Sequence, residues 1–269
     1  MEDGLTQVVI LAGGLGSRIS EETLLRPKPM ITVAEKPLLW HIMMCFSQFG
    51  LNDFIICLGY KGDVIKEYFY NLRLYSSDFQ LNMPSQKINY LQSESFPPWN
   101  VSLIDTGLHS NTGERLKRVK SYLDDRNFFF TYGDGLTGQN LLDTLEFHES
   151  NDSLATMTAV RPPARYGAIS AKDDLVTDFA EKSSSSNSYV NGGFFVLNPR
   201  VFHLLDGEEN PNWEMDILPK LVLQKQLKIF KHDGFWFSMD TSRDRENLEI
   251  MAKNGSPPWF QESPLKKNF

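Results

Sequence analysis

Cysteine is scarce in this chain: Cys45 and Cys57 are the only two in 269 residues. A disulfide-stapled secreted scaffold is therefore excluded, and so is a thiolate metal cluster. Both cysteines lie in apolar segments, where they are expected to pack as small hydrophobes in a reducing compartment. Histidine is equally sparse. Its five copies are far apart and show no metal-ligand spacing, which argues against zinc. Positive charge is in deficit, with 27 Lys and Arg against 34 Asp and Glu. A net charge of −7 argues against a nucleic-acid binder, and no nucleic-acid partner is expected. No apolar run reaches membrane-spanning length, and Met1-Glu2-Asp3-Gly4 has no secretory character. A cytoplasmic protein with no membrane partner is expected.

What is present begins with glycine. Gly13-Gly14-Leu15-Gly16-Ser17-Arg18 follows the apolar run Val8 to Ala12, which reads as a buried strand. Glycines there let backbone N–H groups crowd around an anion, because no Cβ stands in the way. Arg18 and then Lys28, in Arg26-Pro27-Lys28-Pro29, add fixed positive charge. The prolines on either side of Lys28 restrict the local backbone. Together these residues describe a place for a triphosphate. A Walker loop would end in Gly-Lys-Ser/Thr, and none is there. A dinucleotide fingerprint needs a third glycine where Ile19 stands, which disfavours a nicotinamide-dependent oxidoreductase.

Strand-like and helix-like segments alternate through the first half. The expected strands are Val8 to Ala12, Asp53 to Leu58 and Asn127 to Thr131. The expected helices are Pro37 to Phe49, Gly62 to Leu72, Thr112 to Leu123 and Leu141 to Ser150. This alternation predicts an α/β fold: a mostly parallel, Rossmann-like sheet with helices on both faces. Ligands of such sheets lie at the carboxyl ends of the strands, where the Gly13 loop and Asp134 both fall. The second half is richer in strands, at Ala155 to Val160, Gly167 to Ser170, Val176 to Glu181, Val190 to Leu197 and Leu227 to Lys231. Trp213 to Lys225 reads as helical. With no long linker and no repeat, one continuous domain is expected. Its nucleotide-binding half is about 1–136 and its sugar-phosphate half 137–242, with a C-terminal helix and tail over 243–269.

Leu11-Ala12-Gly13-Gly14-Leu15-Gly16-Ser17-Arg18 with Lys28-Pro29-Met30 resembles the sugar-1-phosphate nucleotidylyltransferases. Further stretches resemble their glucose-1-phosphate cytidylyltransferase group. They include Trp99 to Gly107, Thr112-Gly113-Glu114-Arg115-Leu116-Lys117-Arg118 and Thr131-Tyr132-Gly133-Asp134-Gly135. The resemblance runs from Val8 to Trp259. It implies nucleotidyl transfer from CTP to glucose 1-phosphate, with Mg²⁺ as cofactor and a homo-oligomeric assembly. Alternatives are another sugar 1-phosphate or nucleotide, or a regulatory protein that binds sugar nucleotides. The regulatory reading predicts loss of Arg18, Lys28, Asp134 or Asp240, and all four are present.

The resemblance also implies roles. Leu11, Ala12, Gly13, Gly14, Gly16 and Ser17 would cradle the nucleotide. Arg18 would hold its outer phosphates, and Lys28 would reach the α-phosphate and the attacking phosphate. Thr112, Gly113, Arg115, Gly133 and Asp134 would complete the nucleotide site. Arg115 offers donors alone, which suits O2 and N3 of cytosine but not N3–H of uracil. Lys117 and Arg118 read as a solvated helix face. Tyr166, Gly167, Glu181, Lys182, Asn191 and Gly192 would bind the sugar phosphate. Asp134 and Asp240 would hold the metal. Both also suit helix capping, which composition alone favours for Asp240 ahead of the helical Arg243 to Met251. The chain departs from the group at Glu114, where a glycine is usual, and at Ser183, where a proline is usual.

Overall fold

The computed structural model describes residues 6–14, 23–93, 96–162, 168–172, 175–180, 189–253 and 257–260. Seven strands build the main sheet: β1 (Gln7–Leu11), β2 (Asp53–Leu58), β3 (Asn100–Asp105), β4 (Phe128–Tyr132), β5 (Ala155–Val160), β6 (Val190–Leu197) and β7 (Leu227–His232). Their spatial order is β7-β5-β6-β4-β1-β2-β3. All run parallel except β6, which is antiparallel to both β4 and β5.

The central strands are apolar on both sides because both sides are covered. Along β1, Val8 and Ile10 belong to one buried cluster, and Val9 and Leu11 to another on the opposite face. The first face receives α1 (Leu38–Ser47), α2 (Gly62–Tyr75), α4 (Leu141–Glu149) and α6 (Ser242–Lys253). The second receives α3 (Thr112–Arg118) and α5 (Leu218–Leu223). The expected α/β architecture is thus present, with helices on both faces. No helix among the described residues is long and apolar enough to cross a membrane.

Several local features differ from the sequence reading, the edge strand β3 among them. The helix expected to reach Leu123 ends at Arg118, and a separate 3₁₀ turn covers Lys120–Tyr122. The helix expected from Trp213 opens instead as a π-helical turn, Trp213–Ile217, before α5. A hairpin of Ser77–Asn82 against Lys87–Ser93 stands outside the main sheet and was not expected.

Candidate active site

The carboxyl ends of β1 and β4 open onto a cavity of about 630 Å³. Its walls include Leu11, Ala12, Gly14, Lys28, Thr112, Arg115, Gly133, Asp134 and Asp240, which the sequence reading had assigned to the site. They also include Tyr132, Ser110, Asn111, Asn212 and Glu214, which it had not. Gly133 is where β4 leaves the sheet. A Cβ there would come within 2.6 Å of the Leu11 carbonyl and 2.9 Å of the Pro29 ring, so only glycine lets the two strand ends meet.

Lys28 is the centre of the polar cluster. Pro27 is extended, and Lys28 opens a 3₁₀ turn whose next residues, Pro29 and Met30, are buried. The backbone is therefore anchored, as the flanking prolines implied. The Lys28 ammonium lies 2.8 Å from Asp134 Oδ2 and 3.0 Å from Asp240 Oδ1, and its side chain is 13% exposed. The two aspartates are 106 residues apart, and a small sheet joins them. Gly135–Thr137 pairs antiparallel with Trp236–Ser238, and Met239 N–H donates to the Asp134 carbonyl at 3.0 Å. Burial alone would lower the Lys28 pKa. The charges and hydrogen bonds of Asp134 and Asp240 outweigh it and hold the value above its usual one, so the ammonium stays protonated.

The capping alternative for Asp240 is not what the structure contains. Thr241 and Asp244 form a reciprocal cap at the start of α6. Asp244 Oδ2 accepts from Thr241 N–H at 2.9 Å, and Thr241 Oγ1 accepts from Asp244 N–H at 3.2 Å. The Asp240 carboxylate turns to Lys28 and Ser238 instead.

Arg115 departs from expectation. It is 4% exposed, and its two terminal nitrogens donate to Leu58 O at 2.9 Å, Thr106 Oγ1 at 2.8 Å, Gly13 O at 3.0 Å and Leu108 O at 3.3 Å. The donors assigned to cytosine are thus engaged by the protein. Arg115 holds the ends of β2 and β3 to the Gly13 loop. Burial lowers its pKa, and the dense set of acceptors is what makes a buried guanidinium tolerable. The Gly13 carbonyl also accepts from Tyr60 N–H at 3.1 Å, so the first glycine of the loop is fixed from two sides.

Opposite Arg115, Glu214 accepts a short hydrogen bond from the Tyr132 hydroxyl and one of 2.6 Å from Thr112 Oγ1. Asn191 Nδ2 donates to the Tyr132 oxygen at 3.4 Å. Burial first, then the Glu214 charge, raises the Tyr132 pKa, so the phenol stays protonated. This chain of bonds connects Thr112 on α3 to Asn191 on β6. Tyr132 could have been found from its place beside Gly133-Asp134. Glu214 carries no local signal, because its partners are 82 and 102 residues away. Gly16, Ser17, Arg18, Tyr166, Gly167, Glu181 and Lys182 lie outside the described residues. Gly113, in the first turn of α3, is buried against the Pro211 carbonyl.

A strand-end cavity with an anchored lysine between two carboxylates defines a phosphate-handling α/β enzyme. Residues 7–243 match the family model for nucleotidyl transferases, and the chain belongs to that family, in its glucose-1-phosphate cytidylyltransferase branch. The chain is 48% identical to the glucose-1-phosphate cytidylyltransferase of Salmonella typhimurium over 94% of its own length and 98% of the relative's. HddC from Yersinia pseudotuberculosis shares the fold at 23% identity and a TM-score of 0.67, covering 91% of this chain and 99% of that one. The inositol-1-phosphate CTP transferase from T. maritima does so at 15% identity and a TM-score of 0.63, covering 94% and 97%.

Proposed function

We propose that this chain transfers a cytidylyl group from CTP to α-D-glucose 1-phosphate, giving CDP-glucose and pyrophosphate. The observation that carries the reading is the Lys28–Asp134–Asp240 cluster at the strand ends, in a chain 48% identical to a glucose-1-phosphate cytidylyltransferase. A phosphate oxygen of the sugar phosphate attacks the α-phosphorus. The bond to the bridging oxygen breaks, and pyrophosphate leaves with the electron pair. The nucleophile is already ionised near neutral pH, so no general base is required. The barrier is repulsion between two polyanions, and catalysis consists of positioning and charge stabilisation.

Lys28 supplies a fixed cation to the reacting phosphates. Gly13 and Gly14 begin the cradle; Gly14 has open space where a Cβ would stand. Gly16, Ser17 and Arg18 are assigned to the same loop by resemblance. Asn191 and Gly192 meet the sugar, with Tyr166, Gly167, Glu181 and Lys182 assigned to it by resemblance. With the Arg115 donors engaged, cytosine is read by backbone groups of the Gly13 loop and the Thr112-Gly113 turn.

The residues present fit magnesium. Two carboxylates converge on one ammonium, and Mg²⁺ is commonly held by one or two carboxylates plus phosphate oxygens and water. Among the described residues no cluster of three acidic, histidine or cysteine side chains competes for a metal. Asp134 and Asp240 would hold the ion, which when bound neutralises charge on the phosphates. The two halves act as one domain around a shared sheet, in a reducing compartment that two free buried thiols suit.

The test is a matrix of CTP, UTP, dTTP, ATP and GTP against glucose, mannose and galactose 1-phosphates, read by pyrophosphate release. CTP with glucose 1-phosphate should lead. Comparable release with UTP or dTTP would overturn the cytidine assignment.

A further inference from the structure

Two hydroxyl groups in the cavity wall give their protons to one carboxylate. Thr112 Oγ1 donates to Glu214 Oε2 at 2.6 Å, and the Tyr132 hydroxyl donates to Glu214 Oε1. Glu214 is itself held in place. It belongs to the π-helical turn Trp213–Ile217, capped by Asn212, whose side chain accepts from Met215 N–H at 2.8 Å. Trp213 is fully buried and anchors the turn, its ring edge-on to Phe130 of β4 and Phe195 of β6. Trp213 N–H donates to Thr112 Oγ1 at 2.9 Å, and Glu114 N–H donates to the Pro211 carbonyl at 2.9 Å. The turn and the start of α3 are therefore bonded through both backbone and side chain.

A carboxylate accepts and does not donate. Facing Glu214, the Tyr132 proton is committed, and the Tyr132 oxygen offers a lone pair on its other side. Asn191 Nδ2 donates to that oxygen at 3.4 Å. The opposite end of the same amide, Asn191 Oδ1, accepts from Gly193 N–H at 2.8 Å. One orientation of the amide satisfies both neighbours. Gly193 has φ +77°, and a Cβ there would stand 2.7 Å from the Tyr132 ring, so turn and ring fit only with glycine between them. Thr131 Oγ1 donates to the Gly193 carbonyl at 2.8 Å, and Trp236 Nε1 to the Gly192 carbonyl at 2.7 Å. These bonds pin the backbone that carries the amide. The second Nδ2 hydrogen of Asn191 has no partner among the described residues.

We infer, on the proposed placement of the sugar at Asn191, that Glu214 is a positioning residue for the sugar phosphate. By taking the Tyr132 proton it fixes which end of the Asn191 amide faces the phenol, and it leaves the remaining hydrogen for a sugar hydroxyl. Glu214→Gln tests this, because a carboxamide offers an acceptor at one end and donors at the other. Thr112, which already receives Trp213 N–H, keeps the new carbonyl. Tyr132 then faces an N–H, its own proton turns toward Asn191, and donor meets donor. Steady-state kinetics should show KM for glucose 1-phosphate raised about tenfold, the scale of one displaced hydrogen bond. KM for CTP and kcat should stay within about threefold of wild type, since loss of uniform binding leaves turnover alone. Tyr132→Phe keeps the ring and deletes the hydroxyl, and it should raise the same KM by a similar factor. The double variant should be no worse than either single one, because both act through one bond. Met215→Ala, on the same turn but 75% exposed, should leave both KM values unaltered. A wild type that does not turn over glucose 1-phosphate would overturn the proposed function and this inference with it. Turnover by the wild type, with its KM for glucose 1-phosphate retained in folded Glu214→Gln or in Tyr132→Phe, would overturn the inference alone. Losses that multiply in the double variant would do the same.

Discussion

Arg115→Ala separates a residue that reads the base from one that holds the frame. The geometry places Arg115 in the frame, with four hydrogen bonds to Leu58, Thr106, Gly13 and Leu108. A hydrogen bond to a charged group is worth roughly 1.5–3 kcal/mol net, and stranded buried acceptors cost more. Two of the three carbonyls keep another donor: Leu58 O retains Thr106 Oγ1 at 2.6 Å, and Gly13 O retains Tyr60 N–H. The four bonds are therefore not additive, and we expect a loss of about 3 kcal/mol of stability. For a domain of this size that is roughly 6–12 °C in Tm. Activity should fall at least tenfold with CTP and by the same factor with UTP, because the Gly13 loop, which we propose cradles either nucleotide, has lost its brace. Arg115→Lys should recover only part of the stability, since an ammonium cannot reproduce the fork. Thermal unfolding and paired kcat/KM measurements decide the matter. A tenfold collapse of the CTP-to-UTP ratio at unchanged Tm would refute the reasoning and return Arg115 to the base.

Three further outcomes follow from the buried titratable groups. Asp134→Asn and Asp240→Asn should each lower turnover by about two orders of magnitude in a folded protein, as loss of transition-state charge stabilisation typically does; Lys28→Met should bind Mn²⁺ about tenfold more tightly by electron paramagnetic resonance without nucleotide, because its ammonium no longer occupies both carboxylates, while turnover collapses. Wild-type Mn²⁺ affinity in Lys28→Met would show that lysine and metal do not compete. His148 is 2% exposed, and burial lowers its pKa to about 4. The unfolded chain therefore takes up the proton first, so stability held above pH ~6.5 drains away by about 3 kcal/mol as pH falls to 4. Urea unfolding of His148→Gln across that window should lose this slope, and an identical slope would reject the assignment.

The central strands were legible because burial on both faces leaves an unbroken apolar run, as in Phe128-Phe129-Phe130. β3 was missed as a strand because it is the sheet's edge. Asn100-Val101-Ser102-Leu103-Ile104-Asp105 is only partly covered, so its composition is mixed. The hairpin alternates visibly, but its Met83-Pro84-Ser85-Gln86 connection carries no Asn-Gly or Asp-Gly signal. At the site, Lys28, Asp134 and Asp240 were each readable from local context, but not their meeting point, which depends on the pairing of Gly135–Thr137 with Trp236–Ser238. The bracing contacts of Arg115 were hidden for a similar reason. A cation four residues along a helix from an exposed cap has the same sequence whether it faces a ligand or the carbonyls of two strand ends.

The reversed direction of β6 has a consequence for how such a site can change over time. In a wholly parallel sheet every residue at the ligand rim sits at the end of a strand and must share the connection that follows. Because β6 runs the other way, Asn191 and Gly192 reach the same rim from the beginning of a strand. The described element before them is a strand, Leu175–Ala180, paired outside the main sheet, and not a helix. Insertions, deletions or substitutions ahead of Val190 can therefore reshape the margin at Asn191 and Gly192, where we propose the sugar binds, while β1, β4 and the lysine between its two aspartates stay as they are. One strand laid backwards gives the pocket two independently editable margins.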